Sequence, residues 1–459
     1  MAKKEKLSLD EMLEKALVKD EDKPYEVPSN WVWTRLGEVN FRKSKSINPK
    51  NKPDAKFELY SVPSYDENYP EIVTGFEIGS TKQIVEKNDV LLCKINPRLN
   101  RVWVVSEYTD FFKIASSEWI VITLIKLNPK YIAWCLRSKY FRELMLSNVS
   151  GVGGSLTRSR PKEVYEFPIP LAPLAEQQRI VDTIESFFKK LDRAEELVQN
   201  VLDSFEARKS AILHKAFNGE LTAKWREENG VDFEREWEEN LLGEICEINP
   251  KRISTKELDD DIEVSFVPMS SVSDIKGVIE QPLVKKLAEV KKGFTNFSVG
   301  DVIFAKITPC MENGKSAVVE NLMNGIGFGS TEFHVLRCSE RLYNRYLYHL
   351  VRWKKFRDEA RQVMTGAVGQ QRVPKEFLEQ YTINTPPVKE QIEIVRILDN
   401  LLEKEQKARE LCDIIIKNIE QLKKSILARA FRGELNTNNP GEESALELLK
   451  EVIQERMES

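Results

Sequence analysis

Pro173-Leu174-Ala175-Glu176-Gln177 opens a charged helical stretch that closes on Phe217-Asn218-Gly219-Glu220-Leu221. The chain then says this a second time. Pro387-Val388-Lys389-Glu390-Gln391 opens the second copy and Phe431-Arg432-Gly433-Glu434-Leu435 closes it, displaced by 214 positions at both ends. An ungapped internal repeat of this length decides the architecture before any local reading does. A chain that duplicates a domain together with its spacer helix is built to touch two similar things at a set separation.

Working outward, the flanking sequence repeats more loosely. Trp31 matches Trp237, and Leu36-Gly37-Glu38-Val39 matches Leu242-Gly243-Glu244-Ile245, both displaced by 206 positions. Asp89 to Pro97 parallels Asp301 to Pro309, and Ser117-Glu118-Trp119 parallels Thr331-Glu332-Phe333. Ser150-Gly151-Val152-Gly153-Gly154 likewise parallels Thr365-Gly366-Ala367-Val368-Gly369. Small insertions inside the domains, and none in the helices, imply globular parts that diverged around a constant spacer.

The expected fold class is α+β: two similar mixed α/β domains separated by two long antiparallel coiled-coil helices, related by a pseudo-twofold internal repeat. The expected order is an amphipathic helix and linker (1–30), a first domain (31–170), a central spacer helix (171–230), a second domain (231–385), a C-terminal spacer helix (386–435) and a short terminal helix (436–459). Short β-branched runs such as Val102–Ser106 and Trp119–Ile125 read as strands. Helices are expected near Tyr131–Met145 and Arg345–Gln362. Trp33, Trp103 and Trp119 sit in or beside β-rich runs and read as core.

The long helices carry a seam. Ile180, Ile184, Phe187, Leu191, Ala194, Val198, Val201, Phe205, Arg208 and Ile212 step by four and three alternately. In the second copy the seam holds Ile394, Leu398, Leu401, Glu405, Ala408, Cys412, Ile415, Ile419, Leu422 and Ile426. A heptad seam with charged flanks is what a coiled coil requires, and each helix is expected to run roughly 60 Å. Arg208 and Glu405 break the pattern, because a buried charge costs stability unless paired or near solvent. At the chain ends, Ser8 with Glu11 and Ser444 with Glu447 make capping-box patterns before apolar stripes. Those two short helices have no core of their own and should pack on a partner or on each other.

Composition narrows the class. At 459 residues, 41% hydrophobic and 31% charged, the chain suits two soluble globular domains. No apolar run approaches the ~20 residues a bilayer requires, and the start lacks a signal-peptide core, so a cytoplasmic, membrane-free protein is expected. The six cysteines are scattered with no Cys-x-x-Cys pair, which fits reduced core thiols. The three histidines show no ligand spacing, so no metal and no cofactor are expected. Net charge is −4, yet residues 31–170 hold 21 Lys and Arg against 15 Asp and Glu. A local basic domain hidden by acidic helices still suits phosphate. Residues 237–385, with 20 against 21, give no such support.

The duplicated domain, the helices opening Pro-x-x-x-Glu-Gln or Pro-x-x-Glu-Gln and closing Phe-x-Gly-Glu-Leu, and the run Leu171-Ala172-Pro173-Leu174-Ala175-Glu176-Gln177-Gln178-Arg179-Ile180-Val181 resemble the specificity subunit of type I restriction–modification systems. The second copy departs at Pro386-Pro387-Val388-Lys389 but keeps the Glu-Gln pair. The resemblance implies two target-recognition domains, each reading half of a split double-stranded DNA target. It implies no catalysis in this chain. Adenine methylation would belong to two modification subunits docked on the helices, and ATP-driven cleavage to restriction subunits.

Enzyme motifs are correspondingly missing. Thr385-Pro386-Pro387-Val388 lacks the amide and the aromatic of an amino-methyltransferase loop. Pro53-Asp54 is not followed by an acidic-x-Lys through Asp89, as a nuclease would need. Gly325-Ile326-Gly327-Phe328-Gly329-Ser330 lacks the phosphate-holding lysine. A non-catalytic coiled-coil scaffold with two protein-binding heads stands as the alternative.

Base edges are read by Arg, Lys, Asn and Gln, while Ser, Thr and Lys mostly meet phosphates. Two loops per domain combine such residues with Gly or Pro. In the first domain they present Lys94, Asn96, Arg98, Asn100 and Arg101, then Ser155, Thr157, Arg158 and Arg160. In the second they present Lys306, Thr308, Asn313 and Lys315, then Thr365, Gln370, Gln371 and Arg372. Ordinary solvated turns of a shared fold are the competing reading of the same loops.

Overall fold

A computed structural model describes residues 8–41, 45–147, 149–150, 157–255, 257–367 and 369–458. The chain divides into two compact units, Met1–Val198 with Ile414–Ser459, and Gln199–Asp413. In the first, a five-stranded sheet runs in spatial order Ser46–Ile47, Lys82–Ile84, Phe112–Ala115, Lys56–Tyr60, Glu71–Thr74. Only the pair Lys56–Tyr60 and Phe112–Ala115 is parallel. A second sheet pairs Val90–Cys93 with Val102–Val104 and Trp119–Ile122. Val90–Cys93 and Trp119–Ile122 are buried at every position, so they read as continuous apolar runs instead of alternating ones.

The other unit repeats this topology. Thr295–Phe297, Gly327–Gly329, Glu263–Val267 and Leu283–Lys286 form a sheet in that order, again with one parallel pair, Glu263–Val267 beside Gly327–Gly329. Val302–Ala305 pairs with Ser316–Val318 and Phe333–Cys338, and here Cys246–Ile248 adds an edge strand. Val32–Arg35 with Pro168–Leu171, and Glu238–Leu241 with Thr382–Thr385, close the corresponding domains as antiparallel pairs.

Trp33, Trp103 and Trp119 are buried, as their β-rich surroundings predict. The cysteines are free thiols, four buried and two partly so. The single helices expected at 131–145 and 345–362 are each two. Pro129–Arg137 and Lys139–Ser147 are separated by Ser138 in extended backbone, and Asn344–Arg352 and Lys354–Gln362 by Trp353 likewise. Both linking residues are buried, so tertiary packing overrides helical propensity there. The strands near 102 and 119 end earlier than the sequence suggests, at Val104 and Ile122.

The first long helix spans Leu174–Phe217 and the second Val388–Ala430. In the first unit, Ile180 and Ile184 share a core with Leu427, Ala430 and Phe431, and Lys423 Nζ lies 2.7 Å from both Asp192 and Glu195. In the second unit, Leu213, Ala216 and Phe217 share a core with Ile394, Val395 and Leu398. In each unit the start of one helix meets the end of the other, which is antiparallel pairing. Seam positions stay open in each unit: Phe187, Ile415 and Leu422 in the first and Val201 in the second are 42–51% exposed. A two-helix seam covers only a narrow stripe, and residues at its margins stay open where no domain packs on them.

The repeated motif now has a physical explanation. Glu176 and Glu390 are fully buried. Glu176 accepts the indole N–H of Trp31 at 2.7 Å, and Glu390 that of Trp237 at 2.9 Å. Asn438 Nδ2 and Thr437 Oγ1 also donate to Glu176, while Arg226 Nη1 and Thr222 Oγ1 donate to Glu390. Gln177 accepts from the Asn128 N–H and donates to the Ala172 carbonyl; Gln391 does the same with Tyr343 and Pro386. The Glu-Gln pair thus ties each helix start to its domain and to the segment following the other helix. Gly219 and Gly433 end the helices at φ +77° and +73°, a conformation glycine adopts at no steric cost.

The short helix Leu9–Ala16 carries the expected Ser8–Glu11 capping box. It packs against Ala445–Glu458, and both join the core of the first unit through Ala16, Leu449, Val452 and Ile453. Their stripes are therefore covered within the chain. No helix among the described residues is long and apolar enough to cross a membrane.

Candidate nucleic-acid interface

The two loops singled out in each domain are stitched together by backbone hydrogen bonds. In the first domain the Asn96 N–H donates to the Thr157 carbonyl at 2.9 Å, and the Ser159 N–H to Lys94 at 2.9 Å. In the second, the Thr308 N–H donates to Gln371 at 3.0 Å and the Val373 N–H to Lys306 at 2.9 Å. The isolated bridges Ile95 to Arg158 and Ile307 to Arg372 mark the same junction in both copies.

In the first copy the loop leaves strand Val90–Cys93 and turns through Pro97–Leu99, bracketed by Asn96 and Asn100, both at φ +47°. Asparagine tolerates that left-handed backbone better than other side chains. The turn sets Arg98 outward, exposed. Asn100 is spent on the scaffold, donating from Nδ2 to the Arg137 carbonyl at 2.9 Å. Arg101 leans on Asp66 at 3.5 Å, and Lys94 Nζ donates to the Ser117 carbonyl at 2.6 Å. Arg158 pairs with Glu118 at 3.2 Å, and Arg160 with Glu163 at 3.0 Å. Thr157 lies at the junction; Ser155 lies outside the described residues.

In the second copy Thr365 and Arg372 exchange backbone hydrogen bonds at 3.0 and 2.8 Å, closing a hairpin whose tip exposes Gln370. Gln371 donates its N–H to Thr308 Oγ1 at 3.2 Å. A groove of about 390 Å³ borders Lys306, with Asn249, Arg252, Asn296 and Thr331 in its wall. Asn313 is exposed, whereas Lys315 is turned inward, donating to the carbonyls of Met269 and Val272 at 3.1 and 2.9 Å.

The structure therefore gathers Lys94, Asn96, Thr157 and Arg158 in one place, and Lys306, Thr308, Gln371 and Arg372 in the matching place. Asn100, Arg160 and Lys315 serve contacts within their own domain. Sequence reasoning missed the acidic partners. Glu118 and Glu332 face Arg158 and Arg372, and each also joins the loop through its carbonyl, accepting from the Lys94 and Lys306 N–H groups at 3.0 and 2.9 Å. The signal was present in the repeated Ser-Glu-Trp and Thr-Glu-Phe, but nothing in a linear pattern says which charge a glutamate will meet. The Arg372 guanidinium holds the Glu332 carboxyl below its usual range. A larger cavity of about 770 Å³, lined by Lys209, Tyr348 and Asp399 among others, contains none of these loop residues.

The sequence profile of the type I restriction modification DNA specificity domain matches residues 28–202 and again 234–411. The chain belongs to this family. Each match runs through one domain and ends inside the long helix that follows it. The specificity subunit of the type I restriction enzyme EcoEI of Escherichia coli is 35% identical over 264 residues, covering 48% of this chain and 44% of that protein. The chain thus matches less than half the length of that relative. A crystal structure of the HsdS subunit from Thermoanaerobacter tengcongensis shares the fold at a TM-score of 0.62 and 22% identity, covering 90% of this chain and 99% of that one. A chain solved in work on complex assembly and conformational transition of the type I R-M system shares it at 0.70 and 21% identity, covering 90% and 100%.

Proposed function

We propose that this chain is the DNA sequence-specificity subunit of a type I restriction–modification complex, and that each domain reads one half of a bipartite double-stranded target. The observation that carries this reading is the loop junction built twice at matching positions, rich in donors and backed by buried strands. Two similar reading heads suit two half-sites. The paired helices set the spacing between half-sites. The open apolar positions Phe187, Val201, Ile415 and Leu422 offer surface that two methyltransferase subunits would bury on docking, and restriction subunits would join that core. Chemistry belongs to those partners: adenine methylation to the modification subunits and ATP-dependent cleavage to the restriction subunits.

The test is a comparison of the chain alone with the chain plus its cognate modification subunit. Alone, it should bind duplex DNA with a steep salt dependence and show no methyl transfer, nuclease or ATPase activity. Together they should methylate adenine at one asymmetric, interrupted site. Robust methyl transfer by the isolated chain, or no salt-sensitive duplex binding, would contradict the assignment.

A further inference from the structure

Arg372, at the second loop junction, is held at three points. Its Nε and Nη2 donate side-on to Glu332 Oε2 and Oε1 at 2.9 and 2.8 Å, and its Nη1 donates to the Gln370 carbonyl at 3.0 Å. A guanidinium has five N–H groups in a fixed plane. Three are therefore engaged, and two remain, one on each terminal nitrogen, with no partner among the described residues. The side chain is 42% exposed, so this remaining pair is available to a ligand.

Two donors held in a plane match either a phosphate or the O6 and N7 acceptors of guanine in the major groove. The carboxylate decides between them. Glu332 sits against the guanidinium, offsets its charge and repels an approaching phosphate oxygen. The guanine edge is uncharged and directional, so it loses nothing to the carboxylate and benefits from a plane already fixed. An arginine meant for phosphate has no use for an acidic clamp.

On the reading that the loop junctions meet DNA, we infer that Arg372 recognises one guanine in the half-site of the second domain, and that Glu332 is the positioning residue that aims it. The first domain carries the same pair at the displacement of its helices, with Arg158 Nη2 3.2 Å from Glu118 Oε1. The arginine–glutamate pairing thus recurs, held side-on at two contacts in the second domain and through the 3.2 Å contact to Glu118 Oε1 in the first.

The experiment selects duplexes from a randomised library with the full-length chain as wild type, R372A, R372K and E332Q. Wild type should enrich two half-sites. R372A and R372K should each lose discrimination at one guanine of one half-site by roughly tenfold and keep the other half-site intact. E332Q, nearly isosteric, should relax the same guanine while raising affinity for unrelated duplex, an effect that a merely structural glutamate would not produce. Placing 7-deazaguanine, which lacks N7, at that position should weaken wild type and leave R372A unchanged. Uniform weakening of all sequences by R372A and R372K would mean a phosphate contact and overturn the inference. Relaxation at a base pair without guanine, or E332Q selecting like wild type with unchanged affinity for unrelated duplex, would overturn it too. Wild type enriching no sequence at all would instead refute DNA reading by this chain.

Discussion

Arg208 and Glu405, the two charges that interrupt the apolar seams, neutralise each other: Arg208 Nε lies 3.0 Å from Glu405 Oε2 in the second unit. The guanidinium also lies over the Phe205 ring, 4.3 Å from its centroid. Each break in one helix's heptad is answered by the break in the other. Because both side chains are partly exposed, the pair contributes little net energy. Replacing either one by Ala should cost about 1 kcal/mol, and replacing both by Leu should be neutral or stabilising. Urea unfolding of the four proteins checks this; a double Leu variant that loses as much as the two Ala variants together would contradict it.

The buried glutamates behave differently. E390A removes the carboxylate facing Arg226, whose side chain is only 11% exposed, at 2.6 Å. Leaving that guanidinium without its opposite charge, although Gly219 and Thr222 still accept from it, should cost about 3–5 kcal/mol. E176A strands only neutral donors and should cost about 2 kcal/mol. Melting the full-length variants side by side tests the order, and an E176A loss equal to or above that of E390A would contradict it.

Two histidines should make stability depend on pH. Burial lowers the pKa of His349 and of His334 from 6.5, although Asp399 at 2.9 Å opposes the shift at His349. The folded chain therefore binds fewer protons than the unfolded chain below that value. Stability should be complete above about pH 6.5 and drain away as the pH falls from there through the lower folded values. Urea midpoints between pH 8 and pH 5.5 follow this directly. A midpoint that rises toward pH 5.5 would carry the wrong sign.

Arg98 is exposed at the tip of the first loop, and its side chain has no partner among the described residues. R98A should weaken binding to all duplexes alike and reduce the slope of log affinity against log salt by about 1, as the loss of one phosphate contact does. R101A should matter less, because Asp66 already engages that guanidinium. Salt titrations of both variants decide, and a larger loss from R101A would place the reading surface differently.

The helices as ruler can be tested by length. Ile184 and Leu398 lie inside domain cores, so heptads containing them cannot be removed without damaging a domain. Leu197–Asp203 and Cys412–Asn418 lie clear of those cores. Removing both takes about 10 Å from each helix, which corresponds to roughly three base pairs of duplex at about 3.4 Å each. The methylated site of the variant should keep both half-sites and shorten its gap by about that number. An unchanged gap with altered half-sites would mean that the helices do not set the spacing.

Much of this architecture was legible because a repeat compares a chain with itself. Glu176 and Glu390 stood out by recurring, as did the glycines that end the helices. The break at Ser138 and at Trp353 was hidden, since both lie in sequence with good helical periodicity and only burial in a domain core turns the chain there. The open seam was hidden for a related reason. A heptad pattern shows which residues face a partner, whereas exposure at Phe187 or Leu422 depends on what else covers the margin. At the loops, residue type identified Arg158 and Arg372 but not the glutamates that pair with them, because a pairing across about 40 residues leaves no mark in local sequence.

Mapping adenine methylation across a genome, in cells that express this chain with its modification subunit, shows whether one chain with two heads reads one split target. The expected result is a single asymmetric motif of two specified half-sites separated by a fixed run of unspecified bases, present only when this chain is expressed. A continuous motif, or a motif that persists without the chain, would contradict it.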